Sequence, residues 1–310
     1  MDFFALLRPI EIAVSYVLVG FYNALTFLGM DGSSGWTWAL SIVGLVITIR
    51  VALIPLFVRQ INASRAMQLI APDLRKIQEK YKGKKDQASR EALSRETMEL
   101  YREHKTNPFS SCLPILVQAP IFFALFRVLN THIREDSGIG ALTTELAHSA
   151  ATSSILGAGL VESFNDASTW NVRWVAIVLI VAMVATTFWT QRQLTRKNMP
   201  ASALEGPMAQ QQKIMMYALP FIFVFSGPWF PIGVLIYWTT TNLWTMGQQF
   251  YVIKANPTPG SEAARALEEK RKAKAIERAE KRGEEIPEEY QVEEKPAGQR
   301  EQPKRKKRKK

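Results

Sequence analysis

The sequence lacks most of the residue patterns on which catalytic and disulfide-stabilised proteins depend. It has a single cysteine, Cys112, which excludes an internal disulfide, and only three scattered histidines. No glycine-rich phosphate loop and no nucleophile–base motif appears along the chain. The sequence therefore predicts no enzyme, no cofactor and no metal site. We expect His104, in a charged helix, and His132 and His148, in a loop, to be solvated.

Acidic residues are also missing from the longest apolar segments of the chain. Segments 108–129, 174–191, 214–225 and 232–252 contain no Asp or Glu, although the whole chain is only 47% hydrophobic. Apolar runs that alternate with highly charged blocks are typical of a polytopic membrane protein. We predict an all-α polytopic membrane protein with five transmembrane helices, a cytoplasmic helical hairpin and an N-terminal interfacial helix.

Basic residues are unevenly distributed between the apolar segments, and this predicts the topology. Residues 59–107 carry 12 Lys/Arg and 7 Asp/Glu, residues 191–213 carry 4 and 1, and residues 254–310 carry 18 and 12. Residues 1–35 and 130–172 are net acidic. Because basic loops stay in the cytoplasm, we expect the N-terminus outside and the C-terminus inside.

Residues 3–28 form a further apolar segment, which Arg8-Pro9 and Glu11 interrupt. Its start is not basic and no small-residue cleavage site stands out, so a cleaved signal peptide is not favoured. We predict a helix lying on the outer face of the membrane. A re-entrant or uncleaved signal-anchor segment is the alternative.

The predicted organisation follows the chain in order. It consists of an external interfacial helix and linker (1–35), a first span (36–58), a cytoplasmic helical hairpin (59–107), spans two to five (108–252) with an external loop (130–172) and a cytoplasmic loop (192–213), and a basic, largely disordered tail (253–310). We expect Asn107 to cap the second span, with Pro108 at its first helical position.

One arginine, Arg50, lies past the middle of the first span. A charge at that depth costs several kcal/mol unless it faces water or a partner, so it marks a candidate functional site. Its helical neighbours Val46, Ile47, Leu53 and Ile54 are apolar. Arg50 therefore either lines a cavity or snorkels toward the inner end of the span, about 12 Å away.

Polar residues in three other spans lie at a similar depth, from the middle of the membrane inward. A pore would need polar lining on both sides of the bilayer centre, whereas the outer halves of these spans are nearly all apolar. Hydrogen bonds from threonine to its own helix explain some of these residues. The shared depth nevertheless favours a hydrophilic pocket, open to the cytoplasm, with Arg50 at its inner end. The remaining candidate lining residues are Gln118, Thr187, Gln191, Thr241 and Asn242.

Several short motifs follow one another over about residues 3–252. They are Ile49-Arg50 with Pro55, Asn107-Pro108, Cys112-Leu-Pro114, Gln118-Ala-Pro120, Pro231 to Trp238, Asn242, and Gln248-Gln249. In this order and spacing they resemble the YidC-type membrane protein insertases. The absence of a large external domain makes the chain similar to the short bacterial members, although it lacks the lipoprotein cysteine that many of them have.

The resemblance implies a function and roles for individual residues. Arg50 matches the groove arginine of the family, and Gln191 and Trp238 match groove residues of facing helices. The hairpin is expected to recruit nascent membrane proteins in the bacterial plasma membrane, and the basic tail to assist ribosome docking. Anionic lipid is a second candidate partner of that tail, and the Sec translocon is a further candidate partner of the chain.

Two other functions fit the same residues. An organic-anion transporter would use Arg50 as the counter-charge of its substrate, but it would also be expected to show internal repeats. A noncatalytic assembly scaffold would hold the spans of partner proteins in the same groove without translocating anything.

Overall fold

A computed structural model describes residues 3–107, 113–199 and 207–283 of the chain. These ranges are almost entirely helical, in agreement with the predicted all-α class. The helices are α1 (Phe3–Phe27), α2 (Gly35–Ala52), α3 (Ile54–Leu69), α4 (Ala71–Lys80), α5 (Gln87–Glu103), α6 (Leu113–Arg127), α7 (Thr144–Thr152), α8 (Trp170–Asn198), α9 (Pro207–Ser226), α10 (Ile232–Ala255) and α11 (Glu262–Arg282).

Four helical segments of the described residues are long and apolar enough to cross a membrane. They are Ala5–Phe27 of α1, Gly35–Ala52 of α2, Leu116–Ile133, which continues from α6 into a π-helical turn, and Trp170–Asn198, which is α8. A shorter apolar segment, Met216–Trp229, runs from α9 into the 3₁₀ turn after it. The chain is therefore a multi-pass membrane protein. The five-span topology and its orientation stay predictions, as does the surface location of α1, which is itself long enough to span.

The first predicted span is not one continuous helix. Residues 36–58 were expected to cross together, but α2 ends at Ala52 and α3 begins at Ile54, with Leu53 between them. Pro55 lies in the first turn of α3, where its missing N–H and fixed φ are tolerated at a helix start but not inside a helix. Arg50 therefore lies in the last turn of α2, at a helix end.

Helices α4 and α5 form the predicted charged hairpin. The chain reverses at Gly83, whose φ of 85° favours glycine, and Asp86 caps α5 by accepting a hydrogen bond from the Ser89 N–H. Across the hairpin, Glu96 accepts hydrogen bonds of 2.6 Å from both Lys80 and Tyr81. The predicted start of the next helix at Pro108 lies outside the described residues.

The hydrophobic core joins α1, α2, α6, α8 and α10 near the end of the bundle where α2 begins. It includes Leu18, Ile42 and Leu125, together with residues of the segment that links α6 to α8. Helices α1 and α2 approach closely at Gly44, where a Cβ atom would lie 2.5 Å from the Phe21 ring. The apolar halves of the predicted spans thus pack against one another.

The segment that was predicted as the external loop 130–172 is ordered and covers this core. It begins with a π-helical turn, Val128–Ile133, continues through α7, and contains a short antiparallel hairpin of β1 (Ser154–Ile155) and β2 (Ala158–Gly159). The backbone carbonyls of Leu160 and Glu162 accept hydrogen bonds from the first residues of α10. These bonds satisfy N–H groups that a helix start leaves free.

Part of the basic tail is helical. Within residues 253–310, which are predicted to be largely disordered, α11 occupies Glu262–Arg282. This stretch is rich in Ala, Glu, Lys and Arg, which favour helix, and it has no Gly or Pro. The final basic block, Lys304–Lys310, lies outside the described residues.

Candidate functional site

Arg50 is buried inside the helix bundle. Only 7% of the residue is exposed, so the side chain does not point into the lipid. Arg50 lies in the last turn of α2, toward the negative end of that helix dipole, where a basic residue is favoured.

The neighbours of Arg50 are aromatic rather than acidic. Its guanidinium carbon lies 5.2 Å from the centroid of the Phe57 ring, a cation–π contact, and Tyr237 of α10 lies near it. Within residues 3–107, 113–199 and 207–283, no Asp or Glu lies within 4.0 Å of its nitrogen atoms. Among the described residues, the Arg50 guanidinium therefore has no carboxylate as an ion-pair partner.

Gln118 joins α6 to α10 beside this arginine. Its side-chain amide donates a 2.7 Å hydrogen bond to the hydroxyl oxygen of Tyr237, which is only 2% exposed. A buried polar group costs free energy unless it is hydrogen-bonded. Tyr237 therefore bonds to Gln118 near Arg50, and it was not among the predicted site residues. Its spacing of one helical turn from Thr241 is the sequence signal that could have identified it.

A second polar pair joins α8 to α10. The Asn242 side-chain amide donates 2.9 Å to the Thr187 hydroxyl and 3.3 Å to the Met183 carbonyl, and Thr239 donates to the Leu179 carbonyl. Thr187 is buried. Thr187 and Asn242, predicted to share a depth, are thus in direct contact.

Trp238 lies in an aromatic cluster rather than among these polar groups. Its ring stacks on Phe122 at 5.0 Å between centroids and meets Phe230 edge-on at 4.7 Å and Phe223 edge-on at 5.3 Å. Offset and edge-to-face contacts of this kind favour a fixed ring position. Trp238 can therefore act as an apolar wall next to the polar residues of α10.

Two predicted site residues make less specific contacts. Thr241 is partly buried one turn beyond Tyr237, and Gln191 is partly exposed one turn beyond Thr187. Gln191 forms no hydrogen bond with any residue that the structure describes. The seven predicted residues thus remain candidates as a group. Among them, Thr187 bonds directly to Asn242, and Gln118 bonds to Tyr237 of the same helix α10.

A second polar cluster lies at the other end of α6, and the sequence did not predict it. The Glu11 carboxylate, 2% exposed, accepts a 2.5 Å hydrogen bond from the Arg127 Nε and lies 3.3 Å from the His132 Nε2. His132 was expected to be solvated, but its side chain is only 15% exposed, because the π-helical turn after α6 directs it toward α1. Glu11 was interpreted only as an interruption of an apolar segment.

The described side chains offer no evident metal centre. No group of three or more His, Cys, Asp or Glu residues in those ranges is arranged to hold a metal ion. The site at Arg50 therefore offers one cation, hydrogen-bonding groups and an apolar aromatic wall. Such a set can attract an anionic or polar segment and can contact an apolar one.

Comparison with known proteins gives a consistent family match. The family model of the 60Kd inner membrane protein matches residues 29–259. A membrane protein insertase YidC of Streptomyces avermitilis is 49% identical over 271 residues, which cover 84% of this chain and 61% of that protein. A YidC of Tropheryma whipplei is 42% identical over 83% of this chain and 86% of its own length, and one of Bifidobacterium longum is 34% identical over 86% and 81%. The chain thus spans about three fifths of the length of the Streptomyces relative.

Proposed function

This chain belongs to the 60Kd inner membrane protein family of the YidC insertases, and we propose that it is itself a membrane protein insertase. In this proposal it receives nascent hydrophobic segments in a hydrophilic groove open to the cytoplasm and releases them into the bilayer. The family match and the multi-pass helical fold support the general function. The buried, carboxylate-free surroundings of Arg50 are the single observation that carries the mechanism.

The proposed electrostatic step begins at Arg50. A short polar, often acidic, segment of the client enters the groove from the cytoplasm, and its carboxylate occupies the position that no described Asp or Glu fills. Because the surroundings are largely apolar, the attraction between the two charges is stronger than in water. Gln118, Tyr237, Thr187 and Asn242 offer hydrogen-bonding groups to the client backbone nearby.

The release step uses the apolar wall and the membrane potential. The hydrophobic part of the client leaves along the aromatic surface around Trp238 and enters lipid, because burial of apolar surface away from water is favourable. A membrane potential contributes about 2.3 kcal/mol per charge per 100 mV to outward movement of a negative charge. The sealed outer core keeps the groove from becoming a channel.

The test is insertion of a single-span client with an acidic tail into proteoliposomes that contain the purified protein. We expect Arg50→Ala to decrease the protease-protected fraction about tenfold, which corresponds to about 1.4 kcal/mol, and Arg50→Lys to retain part of it. Arg59→Ala is the matched control because Arg59 is exposed on α3. Normal insertion by a folded Arg50→Ala variant would contradict the electrostatic step.

Two other outcomes would replace the proposed function. Client that is bound but never protected from protease would indicate an assembly scaffold. Saturable uptake of a small organic anion by the same vesicles, without client insertion, would indicate a transporter. The proposed partners, namely the ribosome, the Sec translocon and anionic lipids at the basic tail, are not needed in this minimal system.

A further inference from the structure

A cleft of about 430 Å³ opens between the first turns of α1 and the end of α6, away from Arg50. Its polar lining consists of Arg8, Glu11, Arg127 and His132, and its remaining lining is apolar or glycine. The insertase mechanism uses none of these side chains. The apolar and glycine residues are Ala5, Ile12, Gly138, Ile139 and Gly140.

The charges of this cleft do not balance. The Glu11 carboxylate compensates Arg127, to which it is bonded at 2.5 Å. Arg8 is exposed and forms no ion pair with any residue of the described ranges. One positive charge, that of Arg8, is therefore uncompensated in the cleft. A net positive cleft attracts an anion.

Four exposed tryptophans indicate that the cleft lies near the level where a membrane would meet water. Exposed tryptophans surround the same end of the bundle: Trp36 at the start of α2, Trp170 and Trp174 at the start of α8, and Trp229 before α10. Tryptophan is enriched at membrane interfaces. Helix α1 also exposes Leu6, Tyr16 and Phe27, a face that lipid would cover.

Two contacts indicate that α1 runs across this end of the bundle. Near one end of the helix, Glu11 pairs with Arg127, the last residue of α6, and near the other, Tyr22 stacks on Trp38 in the first turn of α2 at 4.3 Å. Because α2 and α6 run in opposite directions in the predicted topology, the start of α2 and the end of α6 share one side. The cleft mouth at Arg8 thus lies beside the headgroups of one leaflet.

We propose that this cleft binds the phosphate group of an anionic phospholipid in the leaflet that surrounds this end of the helices. Arg8 contacts the phosphate, Arg127 and His132 line the cleft beside it, and Ala5, Ile12 and Ile139 contact the glycerol and the first acyl carbons. An anionic headgroup fits the net charge, whereas a zwitterionic one would bring an ammonium group toward two arginines.

The test is photolabelling of the full-length protein in nanodiscs. The probe is a phosphatidylglycerol with a diazirine near the glycerol, and the matched probe is the corresponding phosphatidylcholine. Labelled peptides are mapped by mass spectrometry, which separates labels on α1 and residues 134–140 from labels on the basic tail. We expect Arg8→Gln to decrease phosphatidylglycerol labelling of these peptides up to about fivefold, as for loss of one exposed charged contact.

Three controls determine the interpretation. Arg8→Lys should retain most of the labelling, and Arg173→Gln, which removes an arginine at the start of α8 outside the cleft, should not change it. Equal labelling by the two lipids, or unchanged labelling in Arg8→Gln, would overturn the proposal. Loss of the label on addition of inorganic phosphate at the concentration of the probe would assign the cleft to free phosphate instead of lipid.

Discussion

Two arginines lie at opposite ends of the helix bundle and are held differently. Arg127, at the end of α6, has its Nε 2.5 Å from the Glu11 carboxylate, with His132 on the other oxygen. Arg50, at the end of α2, makes a cation–π contact with Phe57 and lies near Tyr237. Across the described residues it has no carboxylate within ion-pair distance.

The difference separates a structural charge from one that is available to a client. At Arg127 the desolvation cost of the cation is offset within the protein by the Glu11 carboxylate, so this charge is structural. At Arg50 the cost is offset only partly, by a helix end and an aromatic ring. A binding carboxylate can supply the remainder, because an unpaired buried charge gains most from a partner.

The largest expected effect on stability comes from breaking the Glu11–Arg127 ion pair. Glu11→Gln keeps the shape of the side chain but leaves Arg127 without its carboxylate, and we expect the free energy of unfolding to fall by about 3 kcal/mol. Thermal unfolding of the purified protein in detergent measures the change. The double variant Glu11→Gln/Arg127→Gln should recover part of the loss, and an unchanged melting temperature of Glu11→Gln would refute a structural pair.

The second prediction concerns Arg50, whose replacement is expected to change the free energy of unfolding in the opposite direction. Arg50→Met removes a charge that the described residues leave unpaired, so we expect the protein to be as stable as the original or more stable by about 1 kcal/mol. The same thermal unfolding assay tests this, with Arg59→Met as the control. A decrease as large as that of Glu11→Gln would mean that Arg50 is structural after all.

The candidate residues of the inner site could be chosen from the sequence. Arg50, Gln118, Thr187 and Asn242 are polar residues in apolar helices, and each needs a polar partner or water, however the helices pack. Depth along a helix follows from counting residues at 1.5 Å each. The contacts of Asn242 with Thr187 could not be predicted in this way, because they depend on how α8 and α10 face each other.

The outer cluster was missed because its members are far apart in the sequence. Glu11 and Arg127 are separated by more than 100 residues, and only the course of α1 across the bundle brings them together. His132 joins them because the helix after Arg127 widens into a π-turn, for which the sequence has no clear signal. The helix break at Leu53 could be predicted from Pro55, because proline is disfavoured inside a helix. The prediction of one continuous span over 36–58 did not take this into account.

A smaller effect is expected where neutral groups pair inside the bundle. In a double-mutant cycle of Thr187→Val and Asn242→Ala, the coupling free energy should be about 0.6 kcal/mol, the usual size for a hydrogen bond between transmembrane helices. Unfolding of the four proteins in detergent measures it. A coupling free energy above about 1.7 kcal/mol would show that a neutral pair can approach the Glu11–Arg127 ion pair in strength. The contrast between charged and neutral contacts would then fail.

The smallest effect is expected for an ion pair of similar geometry in water. Hydrogen bonds from Lys80 and Tyr81 hold the pKa of Glu96 below its ordinary value of 4.5, so the charged form stabilises the α4–α5 hairpin above that pH. This contribution is lost as the pH falls through the lowered pKa. Because the pair is solvated, Glu96→Gln should decrease the amide-exchange protection of the hairpin at pH 7 only slightly, by less than the coupling free energy of Thr187 and Asn242. The difference between the variant and the original protein should vanish well below pH 4.5.

Glu99→Gln is the control, because Glu99 is an exposed neighbour on α5. Equal effects of the two substitutions would show that the contacts of Glu96 contribute nothing to the stability of the hairpin. Burial alone would then explain why the ion pair of Glu11 is stronger.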